Sequence, residues 1–129
     1  MSKLLARAKA KKFNADNSYF FIPNDDAYIY ECCFNLQQTI ELCLKYIVEM
    51  SGEEYAENHD IRAQMNILKR IDQYIPCEEK LRMIASTINS WAVETRCNDN
   101  FSALIEDIAD ARIIASELIE YCETLVSEK

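Results

Sequence analysis

The run from Ala27 to Ile61 leaves the least freedom to the rest of the chain. Ile29, Cys33, Leu36, Ile40, Cys43, Ile47 and Met50 recur at spacings of four and three. That period is the seam of a long helix packed lengthwise against other helices. Gln37, Gln38, Glu41 and Lys45 flank the seam with polar groups. The run ends at Ser51-Gly52, and Gly52 is the only glycine in the chain. A glycine just past a periodic run enters the left-handed region without steric cost and stops the helix. A polar loop follows, and Asn58-His59-Asp60-Ile61 opens the next helix.

One glycine and two prolines in 129 residues give little punctuation for strands and hairpins. Residues 2–21 therefore read as a first helix, with Leu4, Leu5, Ala8 and Ala15 as its apolar stripe. Its start is basic and its end aromatic (Tyr19, Phe20, Phe21). Pro23 breaks it, and Asn24 or Asp25 can cap a second helix over 25–51. A third helix starts near Asn58, its N-cap, and carries Ile61, Met65, Leu68 and Ile71. Pro76, Glu78 and Glu79 suit the first turn of a fourth. Its seam is Leu81, Ile84, Ile88 and Trp91, and it ends around Arg96. The last helix spans 102–126, with Leu104, Ile108, Ala111, Ala115, Leu118, Cys122 and Leu125 as its seam. The expectation is an all-α chain: an antiparallel bundle of four to five helices, two of them long, in one domain over residues 1–129. Tyr28, Tyr30, Phe34, Tyr46 and Val48 lie off the main seam of the second helix. They close over the first helix or form a second interface. A slim bundle seldom covers apolar residues on so many sides, so a homodimer is expected.

The formal net charge is -8, unevenly placed. Lys3, Arg7, Lys9, Lys11 and Lys12 precede the first acid, Asp16, which leaves nine basic and twenty-two acidic residues in the remainder. Such a body is a poor general field for nucleic acid, so any contact with it has to be local. The basic head of the first helix can touch phosphate or a membrane surface, or simply be solvated. No run of eighteen apolar residues is present, so no membrane span is expected. The six cysteines form no Cys-x-x-Cys pair and have one histidine to join them. Neither a metal nor a cofactor is expected. Cys33, Cys43 and Cys122 sit on apolar seams, as small hydrophobes in a reducing, cytoplasmic setting.

Gln37-Gln38-Thr39-Ile40-Glu41, then Leu44-Lys45-Tyr46, Gly52 and His59-Asp60-Ile61, resembles the core of the HEPN domain family. That family shows a Gln-Gln-x-x-Glu run with a Lys four residues on, a glycine stop and a His-Asp-aliphatic helix start. It usually has an Arg-Tyr-Pro-Asp turn before its last long helix. Arg96-Cys97-Asn98-Asp99 matches that turn at the arginine and the aspartate only. The resemblance runs from about Ala27 to Cys122. It implies a helical bundle that commonly dimerises. It also implies a partner such as a small nucleotidyltransferase, often in a toxin–antitoxin pair, or binding of a nucleotide or RNA. The ribonuclease branch of the family carries an Arg followed by a His four to six residues later. Here residues Cys97 to Ala103 contain no His, and the only histidine is His59.

Cleavage of that kind needs a proton-transfer group, which a histidine supplies, and a cation for the phosphate, which an arginine supplies. Arg96 suits the second role, and nothing near it in sequence supplies the first. The candidate ligand-binding residues are Arg96, Lys45, Glu41, Gln38 and His59, with no catalytic residue assigned. Two readings stay open for each. Glu41 and Lys45 pair along one helix, or face a groove with Gln38 and Arg96. His59 fixes the start of its helix, or serves as a catalytic partner. The expected function is a non-catalytic binding protein, with a metal-independent ribonuclease of departed motif as the alternative.

Overall fold

The structure is a computed structural model; it describes residues 2–97 and 101–127, without the side chains of residues 95–97 and 127. Among the described residues there are five helices and no strand. They are α1 (Leu4–Phe21), α2 (Ala27–Met50), α3 (Ile61–Arg70), α4 (Glu78–Cys97) and α5 (Ile105–Ser127). α2 and α5 are the longest, at 24 and 23 residues. The all-α bundle expected from the periodicity is what forms. No helix of the described residues is long and apolar enough to cross a membrane.

α2 is the centre of the bundle and packs against each of the other four helices. From Asn35 to Val48 only Gln38 is more than marginally exposed. The predicted seam is buried at Cys33, Leu36, Ile40, Cys43 and Ile47, and half-buried at its ends, Ile29 and Met50. α1 is its most extensive neighbour and buries the stripe read from sequence, Leu4, Leu5, Ala8 and Ala15. Two bonds fasten α1 to α5: Lys9 pairs with Glu123 at 3.2 Å, and Arg112 reaches Asp16 at 3.3 Å. The Arg112 guanidinium also lies 3.9 Å from the centre of the Tyr19 ring, a stacked cation–π contact.

Of the five residues off the α2 seam, Tyr46 and Val48 are buried within the chain itself. Phe34 is half-buried beneath Lys11, Tyr28 meets Phe21, and Tyr30 meets Phe101. The seams of the later helices are likewise buried at Ile61, Met65, Leu68, Leu81, Ile84, Ile88, Trp91, Ile108, Ala111, Ala115, Leu118 and Cys122. Leu104 departs from expectation. α5 begins at Ile105, three residues after the expected start at 102, and Leu104 is 65% exposed in the preceding loop, where its carbonyl accepts the first bonds of the helix.

Gly52 does the work expected of it. At φ +82° it is the left-handed residue after α2. Its N–H donates to the Glu49 carbonyl and that of Glu53 to Val48, the paired bonds of a Schellman stop. α3 ends the same way without a glycine: Asp72 sits at φ 59°, Asp72 N–H donates to Lys69 and Gln73 N–H to Leu68. Asp tolerates that region better than most residues. Two start signals are corrected. Asp60, not Asn58, is the N-cap of α3, accepting from Arg62 N–H at 2.9 Å. Asn58 stands two residues back and accepts from Asp60 N–H. Pro76 lies in the turn before α4 rather than in its first turn, and Cys77 at φ 57° carries the carbonyl that Leu81 N–H finds. At α2 the N-cap is Asp26, which makes no side-chain cap bond, rather than Asn24 or Asp25; Asp25, one residue before it, accepts from Ala27 N–H at 2.9 Å.

Candidate functional site

The polar residues read from sequence converge where α2 meets the loop leading into α3. Gln37, Glu41 and Lys45 are one turn apart and so share one helix face. That face is turned inward, so their polar ends need partners there. Glu41, only 2% exposed, collects three donors. Gln37 Nε2 donates to its Oε1 at 2.9 Å, His59 Nδ1 lies 2.9 Å from the same oxygen, and Lys45 Nζ reaches Oε2 at 3.2 Å. An ionised carboxylate can only accept, so the proton of the His59–Glu41 bond resides on Nδ1. Lys45 is 8% exposed and also lies 5.2 Å from the centre of the Tyr55 ring. The buried charge is thus neutralised pairwise, which is the condition for keeping it in a core.

Gln38 joins from one step further out, donating from Nε2 to Gln37 Oε1 at 2.8 Å. Gln37 itself also reaches the His59 carbonyl at 3.4 Å. The loop is tied down from α3 and α4 as well. Gln64 holds both the N–H and the carbonyl of Ala56. Asn89 accepts from Ile61 N–H at 2.9 Å and donates to Asp60 at 2.8 Å. Among the described residues no buried side-chain nitrogen or oxygen lacks a hydrogen-bond partner.

Gln38, Glu41, Lys45 and His59 are therefore brought together. Arg96 lies in the last turn of α4, but its side chain falls outside what the structure describes, as do residues Asn98 and Asp99, where the sequence reading expects a turn. Gln37 belongs to the cluster although the sequence reading placed it only on the flank. Its signal was the same i, i+4 spacing that paired Glu41 with Lys45. Gln64 and Asn89 carried no such local signal, because their partners are 8 and 28 residues away in sequence.

One side of the cluster is open. The His59 side chain is 62% exposed, and Lys45, Tyr55, Glu57, Asn58 and His59 line a shallow hollow of about 250 Å³. With Nδ1 held by Glu41, the second imidazole nitrogen is available there for a hydrogen bond or a proton. The nearest cation, Lys45, is already committed to Glu41. Among the described residues no group of three or more His, Cys, Asp and Glu side chains is placed to hold a metal.

Of the five cysteines whose side chains are described, Cys32, Cys33, Cys43 and Cys122 are buried in the core, Cys77 is half-buried, and all five are free. Burial pushes Cys32 up to about 11, and burial followed by the neighbouring Cys32 pushes Cys33 higher still. Cys43 is raised by its bond to Cys122 and by burial. Burial, then the Glu117 carboxylate, raises Cys77 to about 11. Thiols kept protonated in this way are weak nucleophiles and poor metal ligands.

No curated protein and no solved structure matches the chain. The family model of the HEPN domain matches residues 3–128, nearly its whole length. With the buried Gln–Glu–Lys face of α2, the glycine stop and the His-Asp start of α3 all in place, the chain belongs to the HEPN domain family.

Proposed function

We propose that this chain is a non-catalytic HEPN protein that acts by binding, as a homodimer in a reducing, cytoplasmic setting. Its first ligand on this reading is a partner protein, such as a small nucleotidyltransferase of a toxin–antitoxin pair. A nucleotide or RNA is the second. The supporting observation is the environment of the one histidine. His59 is held by the buried Glu41 at the foot of α3, and the motif residues around it are bonded to one another. A network of that kind fixes how the loop and α3 sit on α2. In sequence, no histidine stands between Cys97 and Ala103 to complete the Arg-then-His pattern of the family's ribonucleases. The net charge of -8 ranks a protein partner above RNA.

One observation favours the alternative, a metal-independent ribonuclease. A carboxylate on Nδ1 leaves the other imidazole nitrogen turned outward, the arrangement that orients a general base. A single experiment separates the readings. Purified protein is incubated with RNA in the presence of a chelator, beside His59→Ala. On the binding reading neither cleaves RNA above background, since losing a positioned acid–base group costs about a hundred- to ten-thousand-fold. Clear cleavage that disappears in His59→Ala overturns it. Arg96→Ala then tests anion binding: it weakens a salt-sensitive nucleotide affinity and leaves the melting temperature unchanged. A lower melting temperature with unchanged affinity assigns Arg96 to the turn instead.

A further inference from the structure

The charge on this molecule is divided between surfaces. Residues 1–21 carry five basic side chains and one acid, so the remainder holds nine basic and twenty-one acidic ones. Three of the five cations bend back onto the chain: Lys9 to Glu123, Lys12 to Asp16 and Lys11 onto Phe34. Lys3 and Arg7 are exposed and have no ion-pair partner among the described residues. They share the outer face of α1 with Phe13 and Phe20, which are 66% and 76% exposed. Arg7, Ala10, Phe13, Asn17 and Phe20 follow spacings of three and four, so this is one continuous face. It is apolar and basic together, and nothing in the single chain covers it.

A complement to this face lies between α4 and α5. Lys80, Met83, Ile84, Thr87, Asp107 and Asp110 line a groove of about 260 Å³. Met83 is 86% exposed on its lip, the buried Ile84 lies at its floor, and neither aspartate has an ion-pair partner among the described residues. The groove is smaller than the roughly 300 Å³ of the smallest drug-sized ligand sites. It suits an inserted side chain rather than a free ligand. Two aspartates against the one lysine, Lys80, leave the groove net acidic beside its apolar floor, opposite in sign to Arg7 and matched in polarity to the phenylalanines.

We propose that two copies of this chain pair by seating the outer face of α1 of one in the α4–α5 groove of the other. This rests on the homodimer reading above and adds the surfaces. Apolar contact of Phe13 or Phe20 with Met83 and Ile84 supplies the adhesion, and Arg7 opposite Asp107 and Asp110 sets the register. Exposed ion pairs are weak and salt-screened, so register rather than strength is their part.

The test is sedimentation equilibrium of the full chain, with circular dichroism as the check on folding. Wild type pairs, and pairing weakens as salt rises. Arg7→Glu and Asp110→Lys each weaken it at least about tenfold without changing the helical spectrum. An equimolar mixture of the two variants pairs again, because unlike charges are opposed once more at every contact. Phe13→Ser with Phe20→Ser weakens pairing and is not rescued by mixing. If wild type pairs but all these variants pair equally well, the surfaces are wrong and the homodimer stands. A wild type that stays monomeric at high concentration overturns both. If Arg7→Glu instead abolishes binding to a single-stranded RNA or to phosphatidylserine vesicles while pairing is unchanged, α1 serves that ligand, and the proposal fails.

Discussion

α2 and α1 pack against each other along most of their lengths, and they meet water in opposite ways. α2 turns charged and amide groups inward, and each finds a partner there: Glu41 with Lys45, Gln37 and His59, and Gln38 with Gln37. α1 turns small apolar residues inward at Ala8 and Ala15 and holds Phe13 and Phe20 out. The inner helix buries polar groups beside its apolar seam, and the outer one exposes aromatic rings among its basic and polar residues. Each adds to a simple amphipathic pattern the kind of residue that the pattern would put on the other face. A buried polar cluster fixes one geometry, because a shifted loop before α3 would take His59 off the buried Glu41. An exposed apolar face fixes nothing inside the chain and is free to meet something outside it.

The largest effect that tests this contrast is at the core of α2. Leu36 is fully buried. Leu36→Asp places an unpaired charge there, which costs several kcal/mol. That is comparable with the stability of a whole domain, so the protein is expected to lose its cooperative melting transition. A folded Leu36→Asp with a near-native melt would mean that α2 is not the centre of the bundle.

Glu41 comes next. Glu41→Ala strands the Lys45 charge without its carboxylate and leaves Gln37 Nε2 only its longer contact to the His59 carbonyl. Breaking a buried pair on one side costs about 3–5 kcal/mol, read as a large drop in melting temperature. The comparison sharpens with the double variant Glu41→Leu, Lys45→Met. It removes both charges together and is expected to recover most of the loss, because matched apolar groups need no partner. Equal loss in the single and double variants would show that the cluster is not coupled.

How legible this was in the sequence differs between the two helices. The core stripes of α1 through α5 were readable because a helix repeats its buried face every three to four residues. The Glu41–Lys45 pair was readable for the same reason. Readings failed where the deciding contact is distant or is made by the backbone. Asn58 and Asp60 are equally good caps by type, and Asn89, reaching over from α4, helps set which one ends the loop. Asp72 ends α3 with no glycine to announce it. Leu104 keeps the spacing of a seam although the helix has not yet begun. Tyr46 and Val48 looked like leftover surface on α2. Only the packed bundle, with α1 as the most extensive neighbour of α2, shows that the chain buries them itself.

A pH titration gives the next smaller effect and probes the thiols of α2 and of the turn before α4. The Cys32 thiol is raised from 9.0 to about 11 by burial, and Cys77 is raised to about 11 by burial and Glu117. A raised acid holds its proton more tightly in the folded chain than in the unfolded one. The stability this represents is complete below pH 9, and it is lost as pH rises from about 9 through 11. Stability should therefore fall steeply across that window and be insensitive to these groups at pH 7. Thiol labelling of the native protein at neutral pH should mark Cys77 before the buried Cys32, Cys33, Cys43 and Cys122. Equal labelling of all five would show a core that opens readily.

The smallest expected effect on the isolated chain is on α1, and it completes the contrast. Phe13 and Phe20 are mostly in water in the folded chain, so removing their rings withdraws little buried area. Apolar surface contributes to folding at about 25 cal/mol per Å² removed from water. A ring that stays wet contributes little, and surface substitutions of this kind usually change stability by less than about 0.5 kcal/mol. Phe13→Ser and Phe20→Ser should therefore melt with wild type when the protein is dilute. At high concentration the outcome separates. If a second copy covers these rings, wild-type melting temperature rises with protein concentration, because association stabilises only the folded state. The two variants lose that dependence. A loss of more than about 1 kcal/mol in dilute solution, where exposed positions normally give half that, would place the rings against the chain itself. The outer face of α1 would then be part of the fold and not a surface held out for a partner.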